Sequence, residues 1–264
     1  MSLAVVTGAS SGIGLELARL AARDGHDLVI CSHGPEIEEA AETLRALGVA
    51  VEAVRADLST EEGVLDLWGR VGAREVDLLM ANAGTTEGHA FTEQDWPRVR
   101  EIIGLNVVGT TLLLHRALPR MLARGEGRIL VTGSVTGFLP GPFMAVYNGT
   151  KAYVDSLAFA LAEEVKDSAV TITCLMPGAV DTGIFEDADM EDTVVGEAPK
   201  AGPEWVARKG YEAMLAGATG ITPGVLNKVM KGFAGVLPNA VLAKLHRFMA
   251  EPASESAEGH GGKA

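Results

Sequence analysis

Six short apolar runs alternate with longer amphipathic stretches along the first two thirds of the chain, and that alternation restricts the fold more than any single residue does. Residues 3–7, 27–32, 50–55, 76–81, 128–132 and 170–175 read as strands; residues near 12–24, 36–47, 60–71, 94–123 and 146–167 read as helices. Strands joined through helices by short connections pair in parallel, and a parallel sheet needs both faces covered. Right-handed crossovers then predict a doubly wound α/β domain whose ligand crevice lies at the strands' carboxyl ends. A length of 264 residues suits one such domain, expected over 1–250.

Small and polar residues gather at those strand ends. TGASSGIG at 7–14 joins the first strand to the first helix. Glycines at 8, 12 and 14 let the backbone turn tightly and approach a pyrophosphate seated on the helix N-terminus. The spacing is G-x3-G-x-G, not the general dinucleotide fingerprint G-x-G-x-x-G. Asn82-Ala83-Gly84 follows the fourth strand, Ser134 the fifth and Pro177-Gly178 the sixth. Taken alone, Ser134 would cap the next turn and Asn106 would be a helix-surface amide.

Tyr147 and Lys151 are four residues apart in YNGTK, so phenol and ammonium share one helix face. A phenol ordinarily ionises near pH 10. A neighbouring cation favours the phenolate, so the spacing predicts a lowered Tyr147 pKa and an acid/base role near neutrality.

With Asn106 and Ser134 added, the chain resembles the short-chain dehydrogenase/reductase family, in its compact single-domain branch. The resemblance runs from Leu3 to about Thr182, through TGASSGIG, Asp57-Leu58, ANAG at 81–84, LNVVG at 105–109, Ser134 with YNGTK, and PGAVDT at 177–182. It implies a Rossmann fold and an oxidoreductase that interconverts a carbonyl and an alcohol. Tyr147 would be the acid/base and Lys151 would lower its pKa and bind the nicotinamide ribose. Ser134 would polarise the carbonyl, and Asn106 would hold a relay water. The cofactor would be held by Gly8, Ser10, Ser11, Gly12, Ile13, Gly14, Ser32, His33, Asp57, Leu58, Asn82, Ala83, Gly84, Tyr147, Lys151, Pro177, Gly178, Val180 and Thr182. Asp57 would meet the adenine amino group and Thr182 the carboxamide. Asn148-Gly149-Thr150 replaces the more usual Ala and Ser between Tyr147 and Lys151, and Ala81 stands where many relatives carry Asn.

NAD-dependent relatives place an acid at the end of the second strand, where it repels a 2′-phosphate. Here that position reads Ser32-His33-Gly34, with no acid before Glu36. Ser32 can donate to a phosphate and His33 becomes cationic beside one. NADP(H) is therefore the expected cofactor, with NAD(H) the alternative.

Composition excludes other classes. With 22 basic against 35 acidic residues, the net charge is −13 and no basic cluster occurs, which argues against nucleic acid. No apolar run reaches a membrane span and no cationic leader opens the chain, so a cytoplasmic location is expected. Cys31 and Cys174 fall in apolar runs and read as buried thiols, without metal-ligand spacing; no metal is expected.

Residues 183–202 carry six acids before Lys200 and read as a substrate lid. Residues 203–216 read as a helix, 219–222 as a weak strand, 224–249 as an amphipathic helical extension, and 251–264 as a disordered tail. The substrate is expected to be a small-to-medium, largely apolar ketone or aldehyde entering beside 138–143. A 3-oxoacyl thioester reductase is the alternative, supported only by Arg128 as a docking cation. A catalytically silent nucleotide-binding regulator is the rival from another class, against which the complete Asn–Ser–Tyr–Lys set speaks. A homodimer or homotetramer joined through the helices at 94–123 and 146–167 is expected.

Overall fold

The computed structural model describes residues 2–182, 193, 200–234 and 236–251. Seven strands form one parallel sheet: β1 (Leu3–Thr7), β2 (Asp27–Ser32), β3 (Val51–Arg55), β4 (Leu78–Ala81), β5 (Gly127–Thr132), β6 (Val170–Leu175) and β7 (Gly220–Ile221), in the order β3-β2-β1-β4-β5-β6-β7. The order reverses between β1 and β4, the switch point where such sheets bind ligands.

Every residue of β1 is buried, and its side chains alternate between two cores. Leu3 and Val5 join the cluster on one face, Ala4 and Val6 the cluster on the other. The first face is covered by α3 (Glu61–Val71), α5 (Thr110–Arg124) and α6 (Ala145–Glu164). The second is covered by α1 (Gly12–Arg23), α2 (Glu36–Arg45) and α7 (Pro203–Leu215). Burying a Leu or Val side chain contributes about 1.5–3 kcal/mol, so this two-sided burial is what holds the strand ends in place. Cys31 and Cys174 are free and buried, and burial pushes the Cys31 thiol up to about 12.

Two helical expectations are refined. The run predicted as one helix over 94–123 divides into α4 (Trp96–Ile103), a π-helical turn (Gly104–Gly109) and α5. The widened turn lies against the loop after β3: a side chain at residue 109 would sit 2.1 Å from the Leu58 carbonyl oxygen. Asn106 lies within this turn. By length and composition the combined run Trp96–Arg124 could cross a membrane, yet α5 buries Leu113, Leu114, Ala117 and Met121 in the first core.

The extension is likewise two helices, α8 (Val225–Ala234) and α9 (Asn239–Ala250). Pro238, which has no N–H to continue a helix, is the N-cap of α9. The acidic segment read as a lid, apart from 193 and 200–202, lies outside the described residues, as does the tail from 252 onward.

Candidate active site

The turn after β1 lies flat against the end of β4. Gly8 has φ +65°, and a Cβ there would stand 2.9 Å from the Ala83 Cα. A Cβ on Gly14 would sit 2.0 Å from the Gly8 carbonyl oxygen and 2.6 Å from the Asn82 Nδ2. No side chain fits at either position. The Thr7 hydroxyl accepts from the backbone N–H groups of Asn82 and Ala83, each at 3.0 Å. Asn82 Nδ2 donates to the Thr7 carbonyl (3.2 Å), and Thr132 Oγ1 donates to Asn82 Oδ1 (3.0 Å). One asparagine thus joins the ends of β1, β4 and β5. Ser11 precedes α1 without a side-chain capping bond, so its hydroxyl does not occupy the first-turn amides of that helix.

A cleft of about 480 Å³ opens over these strand ends. It is lined by Gly8, Ser10, Ser11, Gly12, Ile13, Ser32, His33, Asp57, Leu58, Asn82, Ala83, Gly84, Ser134, Tyr147, Lys151, Pro177, Gly178, Val180 and Thr182. Of the residues singled out from the sequence, Gly14 and Asn106 lie behind its surface. Gly14 is packed under the turn. Asn106 is buried, its Oδ1 accepting from the Thr85 N–H at 3.0 Å and its Nδ2 donating to the Thr85 carbonyl (2.9 Å) and to Thr150 Oγ1 (3.0 Å). Thr150 in turn donates to the Tyr147 carbonyl at 2.7 Å, tying the π-helical turn to α6 one residue before Lys151.

Ser134 does cap the 3₁₀ turn Val135–Phe138. Its hydroxyl oxygen accepts from the Thr136 N–H (3.2 Å) and from Thr136 Oγ1 (2.8 Å). The Ser134 hydroxyl donates to the Pro177 carbonyl at 3.5 Å, and its nearness to Tyr147 draws the pKa of that phenol down. The Lys151 ammonium donates to the Thr132 carbonyl at 2.8 Å and stands 5.8 Å from the centroid of the Tyr147 ring.

The predicted lowering of the Tyr147 pKa is not what this environment produces. Burial pushes the phenol up to about 12; Ser134 pulls it back, and the nearby Asp155 carboxylate pushes it further up. Lys151 is held below its ordinary value, chiefly by burial, against the opposing pull of Asp155 and Cys174. Helix spacing reveals the neighbouring cation; it does not reveal how dry the site is, and here dryness dominates.

Several site residues escaped the sequence reading. Arg55, the β3 partner of Ser32, donates from Nε to the His33 carbonyl at 3.0 Å. Ser10 and Ser32 share a hydroxyl–hydroxyl bond of 3.0 Å beside it. The Glu36 carboxylate folds back on Gly34, where a Cβ would meet its oxygen at 1.9 Å. The extension supplies Met230 from α8 and His246, Met249 and Ala250 from α9 as part of the cleft wall. Ala250 packs in a small cluster with Met144, Phe143 and Tyr147. His246 Nε2 is 3.3 Å from Asn148 Nδ2, which also donates to the Leu139 carbonyl (3.1 Å). The neighbouring Asn148 and a helix of apolar spacing were the available sequence signals for this wall.

The geometry agrees with comparisons to known proteins. The profile of the short chain dehydrogenase family matches residues 2–192. The chain is 32% identical over 242 residues to cis-4-hydroxycyclohexanecarboxylate dehydrogenase of Sinomonas cyclohexanicum, an alignment covering 89% of this chain and 97% of that protein. Among solved structures it resembles a short-chain dehydrogenase from Sphingobium yanoikuyae in complex with NADPH, with TM-score 0.80, 28% identity, and coverage of 91% and 98% of the two chains. It also resembles a short-chain dehydrogenase/reductase from Burkholderia phymatum in complex with NAD, with TM-score 0.76, 29% identity, and coverage of 86% and 91%.

Proposed function

Because the chain belongs to the short-chain dehydrogenase family, as an oxidoreductase built for a nicotinamide cofactor, we propose that it interconverts a largely apolar ketone or aldehyde with the corresponding alcohol, using Tyr147 as acid/base. The observation that carries this reading is the single cleft in which Ser134, Tyr147 and Lys151 face the glycine turn. The residues present fit the cofactor: no side chain intrudes at Gly8 or Gly14, and the N-terminus of α1 faces the cleft. When bound, the cofactor supplies or accepts the hydride.

The chain's own residues supply the rest. Tyr147 gives its phenolic proton to the substrate oxygen during reduction and takes it back during oxidation. The Ser134 hydroxyl holds that oxygen beside the phenol. Lys151, anchored on the Thr132 carbonyl, places positive charge near the phenolate as it forms. Asn106 fastens the π-helical turn to Thr85 and to Thr150, and so keeps α6 in register with the cleft floor.

NADP(H) is the preferred cofactor in this reading and NAD(H) a weaker one. Arg55 beside Ser32 and His33 supports it, since a guanidinium suits a phosphate. The apolar wall formed by Met144, Met230, Met249 and Ala250 supports an apolar substrate. Acyl-carrier docking gains nothing from Arg128, the second residue of β5, at the sheet end opposite the cleft, which donates to the Met214 carbonyl (3.4 Å). Exposed Ile103, Val108 and Tyr153 on the helices at 94–124 and on α6 support self-association there.

The test is turnover of a panel of ketones, aldehydes and acyl thioesters with NADPH and with NADH. Reduction of apolar ketones or aldehydes is expected; inactivity on the entire panel would refute the reading.

A further inference from the structure

Asp155 lies one helical turn beyond Lys151 on α6, so Tyr147, Lys151 and Asp155 recur at intervals of four on one face. An Asp on a helix ordinarily faces water. This one is 3% exposed. Its Oδ1 accepts from the Ser134 backbone N–H at 3.3 Å and from the Cys174 thiol at 3.3 Å. The backbone around it is shaped for the carboxylate: a Cβ on Gly133 would stand 1.7 Å from Oδ1.

We propose that Asp155 is a positioning residue for the reaction, one carboxylate that fixes the Ser134 backbone and α6 to each other from beneath the cleft. The inference rests on the proposed carbonyl–alcohol chemistry for its kinetic consequences, though not for its structural one. Three elements meet at this side chain: α6, which carries Tyr147 and Lys151; the end of β5, which leads into Ser134; and β6, which carries Cys174. Without the bond to Ser134 N–H, the serine keeps its bonds to Thr136, Gly137 and Pro177 but loses its backbone link to α6. The charged and titratable groups facing the carboxylate are Lys151 and Tyr147 from α6 and Cys174 from β6. Its negative charge favours the Lys151 ammonium and disfavours the Tyr147 phenolate, in keeping with the directions in which it moves both groups. Asp155 therefore biases the site toward a proton-loaded state, the state that carbonyl reduction consumes.

The two contributions separate in two variants. Asp155→Ala removes both anchor and charge; Asp155→Asn keeps an acceptor for Ser134 N–H and removes the charge. With the full chain and a substrate found in the panel, Asp155→Ala is expected to lower kcat by about 100-fold, the scale of an ångström-sized misplacement, while cofactor affinity holds. Asp155→Asn is expected to restore most of kcat and to shift the basic limb of the kcat/KM profile to lower pH. Wild-type kcat in Asp155→Ala, or equal impairment of both variants with an unmoved pH profile, would overturn the proposal. If Asp155→Ala does not fold, the Asn variant's pH profile decides alone. If the wild-type protein turns over nothing, the proposed function fails. Crystal structures then decide on Asp155: Ser134 displaced in the Ala variant and retained in the Asn variant supports the anchor, and Ser134 unmoved in the Ala variant overturns it.

Discussion

The Lys151 ammonium is bonded to the Thr132 carbonyl at 2.8 Å and not to the phenol of Tyr147, whose ring centroid lies 5.8 Å away. The cation is thus fixed to β5, and the phenol's shift comes from burial, Ser134 and Asp155. Burial holds the Tyr147 pKa up at about 12, so the phenol is protonated throughout the neutral range. Ketone reduction, which consumes that proton, is predicted to vary little with pH across this range. Alcohol oxidation requires the phenolate and is predicted to accelerate as pH rises. Initial rates in both directions against pH check this; an oxidation rate that falls with rising pH would contradict it.

The same shift makes a stability prediction. A phenol whose folded pKa is raised from 10.0 to about 12 stabilises the fold fully below pH 10 and loses that contribution as pH climbs toward 12. Tyr211 shifts in the same direction through burial and its bond to Asp24 (2.9 Å). Thermal melts are expected to show a steep alkaline loss of Tm, made shallower in Tyr147→Phe and in Tyr211→Phe. An alkaline limb unchanged in both variants would contradict the assignment.

Cofactor choice is predicted to turn on Arg55, bonded to the His33 carbonyl, and on Glu36, folded against Gly34. Arg55→Ala should lower the NADPH:NADH ratio of kcat/KM by about tenfold, equivalent to about 1.4 kcal/mol. Glu36→Gln should raise that ratio by removing a carboxylate that lies against Gly34, next to His33. Steady-state kinetics with both cofactors measure the ratios, and the Arg55 effect should shrink with added salt because the residue is exposed.

At Gly14 the prediction is steric. An alanine Cβ would meet the Gly8 carbonyl oxygen at 2.0 Å with no flexible side chain to give way. Gly14→Ala should weaken cofactor binding at least tenfold, on the order of 1.4 kcal/mol or more, and lower Tm. Fluorescence titration with NADPH and a thermal melt report the two effects independently.

The strand–helix alternation, the glycine turn and the strand-end residues of the cleft were legible because each is a local pattern: apolar period, glycine spacing, polar residues at strand ends. Arg55 was hidden because its importance comes from the β2–β3 register, which places it beside Ser32 from a distance of 23 positions in sequence. The π-helical turn was hidden for a related reason, since Gly104 and Gly109 are fitted to backbone carbonyls of Ser59 and Leu58 on another segment. Asp155 had a visible spacing signal, four residues beyond Lys151, but nothing local separates a buried helical carboxylate from a solvated one. The direction of the Tyr147 shift failed at sequence level because neighbouring charge can be read from spacing and desolvation cannot.

The central claim is that Tyr147 moves the proton for a carbonyl–alcohol reaction in this cleft. Its most direct test compares wild-type protein with Tyr147→Phe for NADPH consumption in the presence of an accepted ketone, with cofactor affinity measured alongside. The predicted result is a loss of roughly 10²–10⁴-fold in kcat with NADPH binding preserved. Turnover undiminished by Tyr147→Phe, with cofactor still bound, would contradict it.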